Sequence, residues 1–519
     1  MSIVRIPNAG SVGVNKDLSQ HELPLNAWTD SKNIRFLDGY ANQFLGHGEV
    51  YNSPAYIPQY VLPCNVAGGR YWIYTTASKT FCVTIASGVA VHTDITHLTP
   101  RTGVVNNWTG TLLSGIPVLN AGDTSSVPMR WNLNTGTKFV DLDNWPASTY
   151  CKSLRSYKNF LIALNITKGS TSYPFMVKWS HPADPGSLPI SWDTTDPTKM
   201  AGETDLAEGY DPIVDGLQLN NSFMIYKESS VWRMDFVGGT YVFQFSKVLG
   251  TSGALNRNCI VEADGVHVVL TGSDVVVHDG QQATSVLDKQ TRRFLFQDID
   301  VAYTDKCFVF KNPFFNEIFI CYPSVGSSGQ CDKAVVWNYK DKTISFREMP
   351  NVNHANFGPV DNGLIGNWNQ DAAPWDTDLT AWNGPDFVPT TARVIAASND
   401  QKLYLMDSSS SFNGTLPSAY IERRGLTFGE EESIKTVTRI TPRIKGNLGL
   451  TVKISVGYSN TSPYDDPVWV SAKDFVIGTS INCDLFVTGR YIAIKFETGT
   501  SYTWRLDSYD INILQTGKF

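Results

Sequence analysis

His267 and His278 sit on the two arms of one hairpin, VHVVLTGSDVVVHDG, spanning residues 266–280. A two-residue turn would set the two imidazoles opposite each other, and such a pair could bind a metal ion or pass a proton. Nothing in the flanking sequence supplies a third ligand or a base. Two neutral imidazoles on a half-buried sheet face are therefore read as structural. The other six histidines (21, 47, 92, 97, 181 and 354) do not take metal-binding spacing either: His92 and His97 are five apart, and no His-Glu-x-x-His occurs.

Other chemistries leave similarly weak traces. Gly250-Thr-Ser-Gly253 misses the spacing of a nucleophile elbow, and neither a P-loop nor Gly-x-Gly-x-x-Gly is present. A glycosidase needs two carboxylates about 5–10 Å apart, a pairing that cannot be picked out among 49 acidic residues. No run of the Ser-x-Asp-x-Gly-x-x-Trp turns that mark propeller sialidases is found. Acidic clusters at Glu203–Asp211 and Glu430–Glu432 read as solvated loops before they read as calcium sites. The eight cysteines are scattered, without Cys-x-x-Cys, and read as reduced, buried thiols. Cys321 and Cys331, flanking one turn, are the pair closest to a disulfide arrangement. No cofactor and no metal site is expected.

The elements that carry these residues are short strands. Val266, Val268 and Leu270 alternate toward one face; Gly272-Ser273 is expected to turn as type II′; Val275 and Val277 return on the same face. Related units, Phe223–Phe236 and Cys307–Tyr322, flank this hairpin. Phe223, Gly265 and Cys307 open successive units at an interval of 42 residues. A meander recurring at about 40–50 residues marks a β-propeller blade, and six or seven such units fit between 55 and 412. Long loops are expected at 181–211 and 350–390, the second carrying Trp368, Trp375 and Trp382. Residues 1–54 form an arm, with one helical turn expected at Trp28–Asn33 and a strand at Ile34–Phe36. The arm is expected to pack on another domain or subunit. Residues 413–519 alternate as a sandwich does. The fold class is mainly β: a β-propeller-like domain (55–412) with an N-terminal arm (1–54) and a C-terminal β-sandwich (413–519).

Composition agrees with many strands and turns: 12% aromatic, 41 Gly and 26 Pro. No apolar run is long enough for a transmembrane helix, and the opening residues lack the apolar core of a secretion signal. The net charge of −7 argues against tight nucleic-acid binding, which requires a basic stripe. The one dense basic run, Lys289–Arg293, reads as the solvated face of a short amphipathic stretch.

Several segments nonetheless resemble one family. The opening GVNKD (13–17), LPLNAW (23–28) and NIRFLDG (33–39) are similar to the start of tail proteins from short-tailed bacteriophages. So are DGLQLNNSFMIYKESSVWRMDF (215–236), FFNEIFICYP (314–323), KAVVWNY (333–339) and TISFREMP (343–350). The closing IKTVTRITPRIKG (434–446), GRYIAIKF (489–496) and WRLDSYDINI (504–513) resemble the C-terminal sandwich of the same proteins. The resemblance implies a podovirus tail nozzle, or tail hub: a homohexameric ring below the portal and its adaptor. Such a ring conducts double-stranded DNA without gripping it, docks fibres or spikes, and catalyses nothing. It implies a virion protein assembled in the host bacterial cytoplasm. An acidic lumen would repel DNA and keep friction low.

Residues expected at interfaces are Trp28, Arg35, Trp368, Trp375 and Trp382, since Trp and Arg are favoured where subunits meet. Two other readings stand beside the nozzle. One is a fibre-docking or glycan-binding propeller without a channel role. The other is a carbohydrate-active propeller enzyme.

Overall fold

A computed structural model describes residues 2–66, 69–86, 89–101, 107–239, 241–361, 390–500 and 503–518. The chain is 54% strand and 4% helix, and its sheets are antiparallel. Five strands come from the arm: β1 (Ser2–Ile6), β2 (Asp30–Lys32), β3 (Ile34–Leu37), β4 (Tyr40–Gln43) and β5 (Gly46–Glu49). The expected helical turn at Trp28–Asn33 is instead β2. It is extended because Asp30–Lys32 pair with Tyr420–Glu422 from the far end of the chain, a partner that local sequence cannot show.

Blade 1 is β6 (Tyr60–Val66), β7 (Gly69–Thr75), β8 (Thr80–Ala86) and β9 (Val89–Asp94). Blade 2 is β10 (Thr109–Leu113), β11 (Ile116–Asn120), β12 (Met129–Arg130) and β13 (Val140–Asp141). Blade 3 is β14 (Thr149–Tyr157), β15 (Phe160–Lys168), β16 (Thr171–Trp179) and β17 (Gly202–Asp205). Blade 4 is β18 (Ile213–Leu219), β19 (Ser222–Lys227), β20 (Val231–Phe236) and β21 (Phe243–Leu249). Blade 5 is β22 (Ile260–Ala263), β23 (Val266–Leu270), β24 (Val275–His278) and β25 (Ala283–Ser285). Helix α1 (Lys289–Asp298), N-capped by Asp288, buries Thr291 and Leu295 and leads into β26 (Phe308–Asn312), β27 (Glu317–Tyr322) and β28 (Cys331–Asn338). The next strand, β29 (Ile344–Asp361), does two jobs. Its first part pairs with β28 and completes blade 6; its second part pairs with β30 (Thr390–Ser398) and begins blade 7. Blade 7 continues with β31 (Lys402–Ser409) and ends on β5 from the arm.

Seven hydrophobic clusters join these seven blades, one between each consecutive pair. The last lies between blades 7 and 1, so the ring closes. The second strand of blade 3, β15, is buried on both faces, which is why it opens on the apolar run Phe160–Leu164. Ile162 and Leu164 face blade 4, while Leu161, Ala163 and Ile166 face blade 2. At the closing contact a side chain on Gly358 would collide with Pro63, and Trp72 donates from Nε1 to the Pro359 carbonyl at 2.7 Å.

Three loop expectations need correction. The stretch 181–211 contains β17, the outer strand of blade 3, and 350–361 belongs to β29; residues 362–389 lie outside the described ones. The turn at Gly272-Ser273 is not type II′, because Gly272 does not take a positive φ. The Thr271 hydroxyl instead accepts from the Ser273 and Asp274 amides, and Thr76 does the same between β7 and β8. All eight cysteines are free and buried.

The closing strands are β32 (Tyr420–Leu426), β33 (Ser433–Gly446), β34 (Thr451–Ser459), β35 (Val468–Trp469), β36 (Lys473–Val476), β37 (Cys483–Gly489), β38 (Tyr491–Thr498) and β39 (Trp504–Lys518). They form a two-sheet sandwich, with the arm built into both sheets. One sheet runs β3-β4-β39-β33-β37, with β1 also on β39; the other runs β2-β32-β38-β34-β35, with β36 on β34. The arm therefore packs on its own chain.

Candidate functional site

The seven inner strands enclose a cavity of about 300 Å³ on the propeller axis. Its deep end is an ion pair. Arg155 on β14 donates to Asp215 on β18 from Nε (2.9 Å) and Nη2 (2.5 Å), and also to the Asn258 side chain and the Gly110 carbonyl. Asp215 further accepts from the Ser153 hydroxyl and from the Gly216 and Asn258 amides. Burial alone would raise this carboxyl; Arg155 and these donors hold it below the usual range. The pair staples four blades at the axis. At the other end Lys311 donates to Glu262 at 3.0 Å, with both side chains more than a third exposed. Tyr60, Phe310 and Phe357 form apolar wall between the two ends. His354, whose Nδ1 accepts from the Val61 amide, also lines the wall. Burial, then Arg155, lowers its pKa to about 3. The cavity carries two closed ion pairs and a neutral imidazole. It suits a small neutral molecule, and it is far too narrow for a DNA duplex, whose grooves alone are about 12 and 6 Å wide.

The two histidines of the hairpin do face each other, and Tyr226 on β19 joins them, its hydroxyl 2.6 Å from His267 Nδ1 and 2.6 Å from His278 Nε2. The proton order follows from the ends of the chain of bonds. The Gly280 amide donates to His278 Nδ1, so His278 carries its proton on Nε2 and donates to the tyrosine oxygen. The tyrosine donates to His267 Nδ1, and His267 Nε2 donates to the Gln218 carbonyl. Every group is satisfied with both rings neutral. Burial keeps them so, lowering each pKa to about 4. The network stitches blade 4 to blade 5.

A second buried network joins the arm to the propeller. Arg35 on β3 makes a two-pronged contact with Glu317 on β27 (2.6 and 2.9 Å) and reaches Asp407 on β31 at 2.9 Å. Arg347 on β29 donates to the other Asp407 oxygen at 3.0 Å. The Arg35 guanidinium lies over the rings of Phe44 and Phe315. Burial works to raise Asp407, but the two guanidiniums hold its carboxyl low. Burial raises Glu317 to about 7 against the opposing pull of Arg35.

Of the residues expected at interfaces, Trp28 is fully buried in the sandwich core and donates from Nε1 to the Ala9 carbonyl. Arg35 is buried in the network just described. Both serve contacts within the chain. Trp368, Trp375 and Trp382 lie outside the described residues. In the acidic stretch 203–211, Glu203 pairs with Lys168 and Lys178, Glu208 with Lys247 and Asp211 with Lys227. Among the described residues, no three His, Cys, Asp or Glu side chains group as metal ligands. Sequence reading missed the axial pair and the arm network. The available signal was a charged residue inside an otherwise apolar strand, as in VDGLQL and EIFICY.

No family model matches the chain. No curated protein matches it either. Among solved structures it is similar to the extracellular domain of a B. thetaiotaomicron protein described as a one component system. That likeness has a TM-score of 0.38 and 8% identity, and covers 85% of this chain. The chain spans about half (54%) of that structure's length, and the likeness is one of β-rich architecture alone.

Proposed function

We propose that the chain is a structural, non-enzymatic component of a short-tailed phage tail: a ring-forming nozzle that extends the portal–adaptor channel, conducts the genome and docks fibres or spikes. The observation that carries this reading is spatial. Segments 13–39, 434–446, 489–496 and 504–513, from opposite ends of the sequence, fold into one sandwich. Segments 314–323, 333–339 and 343–350 form blade 6, joined to that sandwich through Arg35–Glu317 and through the bond from the Thr343 hydroxyl to the Phe36 carbonyl. Most of the segments that carry the resemblance thus form one continuous body. The propeller axis is stapled shut, so the conduit must be built between copies. Negative-stain imaging of the protein mixed with its portal–adaptor complex tests this: rings on the adaptor are expected. A stable monomer by light scattering that does not join the adaptor overturns the reading.

The axial cavity favours a second reading, a fibre-docking or glycan-binding propeller without a channel role. That reading expects saturable calorimetric binding of host polysaccharide, abolished when Leu217→Trp fills the cavity.

A further inference from the structure

The sheet containing β1, β39, β33 and β37 ends at β3 and, on either side of this group of four, at β1 and β37. Among the described residues no strand pairs with the outer side of β37 or with the outer side of β1. Both edges present a large apolar side chain to solvent: Phe486 is 75% exposed and Ile3 64%. An exposed apolar edge strand is a template for pairing with another chain. We infer that β37 of one copy adds to β1 of the next, continuing the sheet from copy to copy around a ring; this deepens the nozzle reading and rests on it.

Three independent features fit. First, direction: β1, β39, β33 and β37 are antiparallel in succession, so β37 and a following β1 run antiparallel, as the alternation requires. Second, face: Ile3 and Arg5 lie opposite Asn512 and Asp510, while Asp484 lies opposite Arg439. These residues, with Phe486 two positions along β37, occupy the solvent face, whereas Val4, Ile6, Cys483 and Leu485 face the core. Third, register: setting Ile3 against Phe486 places Arg5 against Asp484 on the solvent face. The same register sets Val4 against Leu485 and Ile6 against Cys483 on the core face. The apolar pair, the opposite charges and the core pairs all match in one alignment. Sliding by two residues in one direction sets Ile3 against Asp484, and in the other sets Arg5 against Phe486. A contact between unlike edges is heterologous, which is the kind that closes a ring.

The test is a disulfide between copies in the full chain. Within one copy the two edges are three strand spacings apart, about 14 Å, beyond the reach of a disulfide. Ile3→Cys with Phe486→Cys should therefore give an oxidised ladder of multiples of the chain. Ile3→Cys with Thr488→Cys, out of register, should give much less. Phe486→Asp, on the exposed face, should leave the circular dichroism spectrum unchanged and raise the assembly midpoint about tenfold or more. Rings that form without the Ile3–Phe486 cross-link, or that tolerate Phe486→Asp, overturn this interface and leave the nozzle reading standing. A chain that forms no ring at any concentration, with or without the portal–adaptor complex, overturns both.

Discussion

Tyr226 shows how one hydroxyl decides whether two histidines are chemistry or scaffolding. It accepts from one ring and donates to the other, so neither has a free lone pair for a metal. Tyr226→Phe leaves a buried donor and a buried acceptor unpaired and should cost about 1–3 kcal/mol, read from the urea midpoint. The pH dependence has a definite sign. Folded His267 and His278 take protons only near pH 4, whereas unfolded they do so near their ordinary 6.5. Between these values the unfolded chain binds more protons. Stability is therefore complete above 6.5 and falls as pH drops to about 4, by up to about 3 kcal/mol for each ring. Denaturation series at pH 7.5, 6 and 5 should show the midpoint dropping; a flat profile would mean the rings are solvated. Asp407→Asn strands the buried Arg347 without its counter-charge and leaves Arg35 with Glu317 alone. The expected loss is about 3–5 kcal/mol, far more than a surface pair would cost.

At the level of elements, the propeller was legible where strands are short, apolar and evenly spaced. The hairpin at 266–280 and its neighbours gave the interval of 42. Legibility failed where pairing is distant. Asp30–Lys32 has the local chemistry of a capped turn but is extended by Tyr420–Glu422. Pro350 and Asn351 read as a loop yet lie within β29, the strand shared by two blades. The axial ion pair was invisible because Arg155 and Asp215 come from separate blades. The site was thus less legible than the fold: its residues meet only where separate blades converge on the axis. That closure has a weak point at β5, four residues long. A methyl group on Gly46 would collide with the Ser411 backbone. Gly46→Ala should therefore loosen blade 7 and cost about 2 kcal/mol or more, with faster hydrogen exchange confined to β5, β30 and β31.

The whole molecule is a seven-bladed ring and a sandwich that share one N-terminal segment. Deleting residues 2–45 removes β1 to β4 from both sandwich sheets. Limited proteolysis of that chain should digest 418–518 first while fragments of blades 1–6 persist; equal resistance would show the arm to be dispensable. The shared segment also sets a timetable. β2 is made well before its partner β32, which follows it by some 390 residues. At about 5–20 residues per second, the arm waits tens of seconds for its sheet. A truncated or still-growing chain therefore cannot present β1 and β37 together as finished edges. If copies join edge to edge as proposed, synthesis through β39 acts as a proofreading step for that contact.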